Sequence, residues 1–170
     1  MLPDPEPPSR RPHMPGYGVV GPEAGSGLLP WSWAEEQLRA SRHFWLATTW
    51  PEGRPHMMPV WAVWEAGRLW FSSSLGSRKV RNLVANPAVV LAREDALNPV
   101  MLEGRARVAS SDPELRHFLD LVNAKYETDY SMELVDPTLN ATVEVRPRWV
   151  FGLRSGDFTG SPTRWRVGEE

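Results

Sequence analysis

The rhythm of apolar and polar residues changes several times along this chain. Ser32-Trp33-Ala34-Glu35 has capping-box spacing, with Ser32 as N-cap and Glu35 at the third helical position. It predicts a short helix to about Arg39. His43–Thr49 is rich in aromatic and β-favouring residues and predicts a strand, closed by the turn Pro51-Glu52-Gly53. Pro55–Glu65 predicts the returning strand, and Pro59 puts it on an edge or at a bulge. Ala66-Gly67 makes the next turn, and Arg68–Ser73 predicts a third strand. Together the three runs read as an antiparallel meander.

A helical period follows. Val80, Leu83 and Val84 recur at i, i+3 and i+4, which predicts a helix over Ser77–Ala85 that stops at Asn86-Pro87. Ala88–Arg93 and Val100–Ala109 predict two more strands. Asp112 as N-cap and Pro113 at the first helical position open a helix to about Tyr126. Leu115, Phe118, Leu119 and Val122 form its apolar face. Ala141–Val145 and Trp149–Leu153 predict the last strands. Short strands with three helices make a mainly β, α+β fold: a closed or half-closed antiparallel barrel decorated by helices.

Residues 1–29 carry Pro3, Pro5, Pro7, Pro8, Pro12, Pro15 and Pro22 with almost no apolar periodicity. They read as a disordered or extended arm, ahead of a folded domain over residues 30–170. The 170 residues suit one domain. A net charge of −2 argues against a nucleic-acid binder. The absence of cysteine excludes disulfides, thiolate zinc sites and thiol catalysis, and it fits a reducing cytoplasm. No apolar run has the length of a membrane helix, and the first residues lack a signal-peptide layout. His13, His43, His56 and His117 are far apart, without metal-ligand spacing. Glu103, mid-strand beside Gly104, reads as a cross-strand partner for an arginine. No side chain stands out as a dedicated catalyst.

One segment departs from the mixed charge pattern. The 28 residues between Glu65 and Glu94 hold no acid, but they contain Arg68, Arg78, Lys79, Arg81 and Arg93. In their middle, Ser72, Ser73, Ser74 and Ser77 lie where a strand end runs into a helix start. Outward N–H groups at a helix N-terminus, hydroxyls and basic side chains together suit a phosphate. The same residues also suit a polar loop followed by a solvated basic helix. No Walker A or G-x-G-x-x-G motif is present.

Phe71-Ser72-Ser73, Ser77-Arg78-Lys79, Asn82-Leu83 and Asn86-Pro87 resemble, in that order, the pyridoxamine-phosphate-oxidase-like, FMN-binding split-barrel superfamily. Gly53-Arg54-Pro55-His56 with Pro59-Val60-Trp61 is similar to its preceding hairpin, and Val100–Ala109 to a later strand. Arg146–Gly152 and Thr163-Arg164-Trp165-Arg166 resemble the actinobacterial branch that uses the deazaflavin coenzyme F420 or FMN. The resemblance implies an antiparallel split barrel and an oxidoreductase that moves a hydride between such a cofactor and a small organic substrate. It implies a phosphate held by Arg78 and Lys79, with Ser72, Ser73 and Ser77 as hydrogen-bond partners. It lays the ring along Met58, Pro59, Val60 and Trp61. It implies a homodimer with the cofactor at the interface, where Arg164 and Trp165 complete the partner's pocket. Coenzyme F420 is preferred slightly over FMN, on the Arg-, Ala-, Pro- and Trp-rich composition and the C-terminal Thr-Arg-Trp. The vitamin B6 oxidases' C-terminal Arg-Leu-His-Asp-Arg motif is absent, which argues against pyridoxamine-phosphate oxidation. The alternative is a non-catalytic flavin or haem binder, with His56 or His43 as a haem ligand.

Overall fold

A computed structural model describes residues 6–168. Strand β1 is Ser9–Arg10 and helix α1 is Trp31–Ala40. Strands β2 (His43–Thr49), β3 (Pro55–Trp61), β4 (Val63–Glu65) and β5 (Arg68–Ser74) precede helix α2 (Arg78–Ala85). Strands β6 (Ala88–Arg93) and β7 (Val100–Ala109) lead to helix α3 (Asp112–Tyr126). The long β8 (Asn140–Gly152) and the short β9 (Thr163–Arg166) end the described chain.

All pairings are antiparallel, and the strands follow the order β1-β9-β8-β7-β6-β2-β3. β5 joins this path by pairing with β8, and β4 pairs only with β5. The barrel is therefore split: β3 pairs on one side only, and nothing hydrogen-bonds β3 to β5 across the gap. The expected three-strand meander is corrected here. β2 and β3 form a hairpin, but the chain breaks at Ala62 and β5 crosses to β8. The cause is local: Tyr126 Oη accepts a hydrogen bond from the Ala62 N–H at 2.9 Å, and Lys125 Nζ donates to the Ala62 carbonyl at 2.9 Å. Both backbone groups of Ala62 are thus taken by α3, which ends the β2–β3 ladder.

Strand alternation sorts two cores. Phe44, Leu46, Leu69, Phe71, Leu91, Leu102, Val143 and Val145 fill the barrel interior. Trp70, Ala109, Leu115, Phe118, Val122 and Tyr126 pack between α3 and the outer face of β5 and β7. Each large side chain buried this way contributes roughly 1.5–3 kcal/mol.

Several expected boundaries move. Pro30, not Ser32, caps α1 and makes no side-chain cap bond. Glu35 instead accepts from Trp64 Nε1 at 3.4 Å and pairs with Arg39 at 3.3 Å. Ser111, not Asp112, caps α3 in a full capping box with Glu114. Arg107, then Ser111, pull the Glu114 carboxyl down to about 2. The two expected C-terminal strands are one, β8. Arg148 is the extra residue of a bulge there, because Glu103 faces Trp149 while Gly104 faces Pro147.

Pro3 and Pro5 of the proline-rich arm lie outside the described residues. Residues 6–29 are largely exposed but are tied to the C-terminal segment. β1 pairs with β9, and the Arg11 guanidinium donates to the carbonyls of Pro162 and Gly160, each at 2.8 Å. The same group reaches the arm's own Gly21 and Ala24 carbonyls at 3.2 and 3.1 Å, so this cation, together with the β1–β9 pairing, ties the arm to the C-terminal segment.

The bulge makes a sharp demand on Gly104, where an added Cβ would sit 2.3 Å from the Arg146 carbonyl oxygen. Gly104→Ala is expected to destabilise the chain by roughly 1–3 kcal/mol, as overpacking does. Urea unfolding should show a lower midpoint with an unchanged slope.

Candidate functional site

β5 delivers the serines, and its alternation separates them. Ser73 lies on the Phe71 side, and its hydroxyl donates to Ser77 Oγ at 3.2 Å. Ser77 caps α2, accepting from the Val80 N–H at 3.4 Å. Ser72 lies on the opposite face, and its hydroxyl donates to the Leu134 carbonyl at 3.3 Å. The expectation that both hydroxyls serve one anion is corrected by this geometry: adjacent strand residues point to opposite faces.

α2 begins with Arg78 and Lys79 and has no acid in its first turn. Among the described residues no carboxylate pairs with either. Partial burial holds the Lys79 amine below its ordinary value. Arg78 is parked: its guanidinium carbon lies 3.6 Å from the Trp50 ring centroid, and Arg54 lies 4.1 Å from the same ring. An indole carrying two guanidinium groups is a cation–π pedestal. α2 is tied down beneath them. Asn82 is fully buried and its Nδ2 donates to Thr48 Oγ1 at 3.0 Å; that hydroxyl lies 3.3 Å from His56 Nδ1. Asn82 Oδ1 is buried without a partner. Sequence reasoning missed Trp50, Arg54 and Thr48. Their link to Arg78 and Asn82 spans the hairpin and the helix, and no local spacing encodes it.

The gap between β3 and β5 opens beside this helix start. Met58, Pro59 and Trp61 are exposed on β3, while Val60 is turned into the core and offers only backbone. Trp61 is 49% exposed. It is stacked on Tyr126, with centroids 4.6 Å apart and planes 15° apart. One indole face is thus fixed and the other left open. Tyr126 was given no role from sequence, yet it holds both Ala62 and Trp61.

The C-terminal expectation divides. Arg164 pairs with Glu103 at 3.3 Å and lies 4.4 Å above the Trp149 ring, so Glu103 does have an arginine partner. Trp165 is corrected: it is 1% exposed and packed edge-on against Trp31 with centroids 5.8 Å apart. A side chain filling the barrel core has no face left for a partner's pocket.

The comparisons with known proteins can be set against this geometry. Residues 33–154 match the family model described as pyridoxamine 5'-phosphate oxidase. The chain belongs to that family. No curated protein matches it. Among solved structures, an F420 reductase is similar at 27% identity and TM-score 0.57, over 68% of this chain and 94% of that one. A conserved hypothetical protein from Mycobacterium tuberculosis matches at 22% identity and TM-score 0.62, over 88% of each chain. A NimC/NimA family protein from Clostridium acetobutylicum matches at 18% identity and TM-score 0.59, over 74% of this chain and 88% of that one. The last two share the oxidase family's split-barrel fold. Among the described residues no helix is long and apolar enough to cross a membrane.

Lys125, beside Trp61's support, gives this end of the site a pH signature. Burial, with Arg42 adding to it, lowers its amine to about 8. Between about pH 8 and the ordinary lysine value the unfolded chain therefore binds more protons than the folded one. Stability should rise with pH across that window. Tyr126, raised to about 12 chiefly by burial, opposes this only above its ordinary value of about 10. Urea midpoints measured from pH 7.5 to 9.5 should climb, and Lys125→Met should flatten the climb.

Proposed function

We propose that this member of the pyridoxamine 5'-phosphate oxidase family is an oxidoreductase that works with a flavin-type cofactor, coenzyme F420 in preference to FMN. The observation that carries the reading is the acid-free start of α2, Arg78 and Lys79 with Ser73 and Ser77, opening beside the unclosed edge of β3. These residues fit a phosphate: two cations, two hydroxyls and the free N–H groups of a helix N-terminus converge there. The likeness to an F420 reductase favours the deazaflavin. The missing B6-oxidase substrate motif counts against pyridoxamine phosphate as substrate.

When bound, such a cofactor supplies the hydride chemistry. The chain's own work is to bind and orient. Arg78 leaves Trp50 to meet the phosphate, Lys79 adds the second charge, and Asn82 keeps α2 from shifting. Pro59 and Trp61, on one face of β3, back the ring plane, Tyr126 sets the tilt of Trp61, and Met58 and Val60, on the other face, offer their backbone. A small organic substrate enters from the open side.

The working unit in this reading is a homodimer. One row across the outer sheet face is wholly apolar: Pro59, Trp45, Ala92, Met101 and Phe151 are neighbours on β3, β2, β6, β7 and β8. Trp45, Met57, Trp61 and Met101 are large and exposed on this face. A contiguous apolar patch of this kind suits a second copy of the chain. Residues 1–29 serve as an arm to the domain over 30–170.

Two measurements test the reading. Arg78→Ala/Lys79→Ala protein should bind coenzyme F420 and FMN about 100-fold more weakly in a fluorescence titration, two charged hydrogen-bond donors having been lost. Unchanged affinity for both would remove the clamp and the proposed function with it. Light scattering should find a dimer for the natural chain and a monomer for Trp45→Asp.

A further inference from the structure

The opposite end of the same outer sheet face carries a row of different chemistry. Arg105 on β7 stands directly across from Arg146 on β8. Leu69 pairs with Val145, so Arg68 on β5 stands beside Arg146 on its other side. Three guanidinium groups therefore lie side by side on three neighbouring strands. Like charges directly opposite in an antiparallel pair repel and destabilise a sheet.

Among the described residues, relief comes from one side. Glu144 is 1% exposed beneath the row. It pairs with Arg68 at 3.0 Å and Arg146 at 3.4 Å, and it also contacts Arg107. Arg107 is shared with Glu114. The buried carboxylate anchors two guanidinium groups at one end and leaves their outer edges exposed. Arg105 has neither an ion pair nor a hydrogen bond among the described residues.

The row lines a groove of about 1250 Å³ that runs from Thr49 and Ala88 to Trp149. Arg148 also lines it. Glu103 is the only acid in that lining among the described residues, and it is engaged by Arg164. Trp149 is held as a flat wall between Arg10 at 5.1 Å and Arg164 at 4.4 Å.

We propose that this groove is a second anion site, separate from the start of α2, and that it takes a small polyvalent oxyanion such as a phosphate ester or a di- or tricarboxylate. Arg105 and Arg146 grip the anion. Arg68 and Glu144 fix the position of the grip. A bound anion relieves the repulsion within the row. The site does not depend on which cofactor, if any, the α2 clamp holds.

Inorganic pyrophosphate is the probe, titrated calorimetrically into the full chain at low ionic strength. Saturable binding is expected, and it should persist within about threefold in Arg78→Ala/Lys79→Ala protein. Arg105→Gln/Arg146→Gln should weaken it by about tenfold or more, the effect of losing charge-assisted bonds. Without anion, Arg105→Gln should melt at the natural chain's temperature or above it, because a repulsive neighbour has gone. Three binding results would overturn the site. These are no saturable binding, binding that disappears with Arg78 and Lys79, and an Arg105→Gln/Arg146→Gln protein that binds as the natural chain does. A lower melting temperature for Arg105→Gln would do the same, by giving Arg105 a structural role.

Discussion

The hydrogen bonds that α3 makes to Ala62 decide the shape of this molecule. A β-hairpin ladder continues while its backbone groups find each other. At Ala62 they find Tyr126 and Lys125 instead. The strand that leaves this point cannot stay beside β2, and it returns as β5 on the far side of the barrel, against β8. The gap, the free edge of β3 and the placing of α2 beside that gap all follow. The Tyr126 ring that takes part also carries Trp61 on its face, so the constraint that opens the barrel also sets one wall of the opening.

Electrostatics then separates the two ends of the site. At the α2 end, Arg78 and Lys79 have no carboxylate partner among the described residues, and Arg78 is stored on an aromatic surface. Trp50 holds Arg78 through its ring, and a cation held that way keeps its hydrogen-bond donors available; Arg54 shares the ring but also pairs with Glu52 at 3.5 Å. A carboxylate partner would have occupied those donors and cancelled the charge. Asn82 and Thr48 secure the helix with neutral hydrogen bonds, which add no competing charge.

Much of this was legible in the sequence, and the failures have identifiable causes. The bounds of β2, β6 and β7 could be read because one face of each is buried, which makes the two-residue alternation clear. Cap residues at α1 and α3 were misplaced by one or two positions, since Ser-Trp-Ala-Glu and Asp-Pro carry capping signals wherever the chain starts to coil. The meander failed because its interruption at Ala62 is made by residues more than sixty positions away. Trp165 looked like a ligand residue by motif, but burial is set by α1, whose Trp31 packs on it. The arm reads as disordered or extended because prolines hide its anchors: the β1–β9 pairing, and Arg11, which acts through backbone carbonyls distant in the chain. Ser72 and Ser73 looked equivalent until strand alternation placed them on opposite faces.

Pro59 gives the open edge one more property. A strand edge with free N–H and C=O groups invites another chain to zip along it and so seeds aggregation. Proline has no N–H, and Pro59 sits midway along the only unpaired side of β3. A foreign strand arriving there meets a missing rung and cannot extend its ladder. A flat molecule needs no ladder and can rest against the same edge. One imino acid thus guards the open edge without closing it, and spares the chain from its own unfolded neighbours.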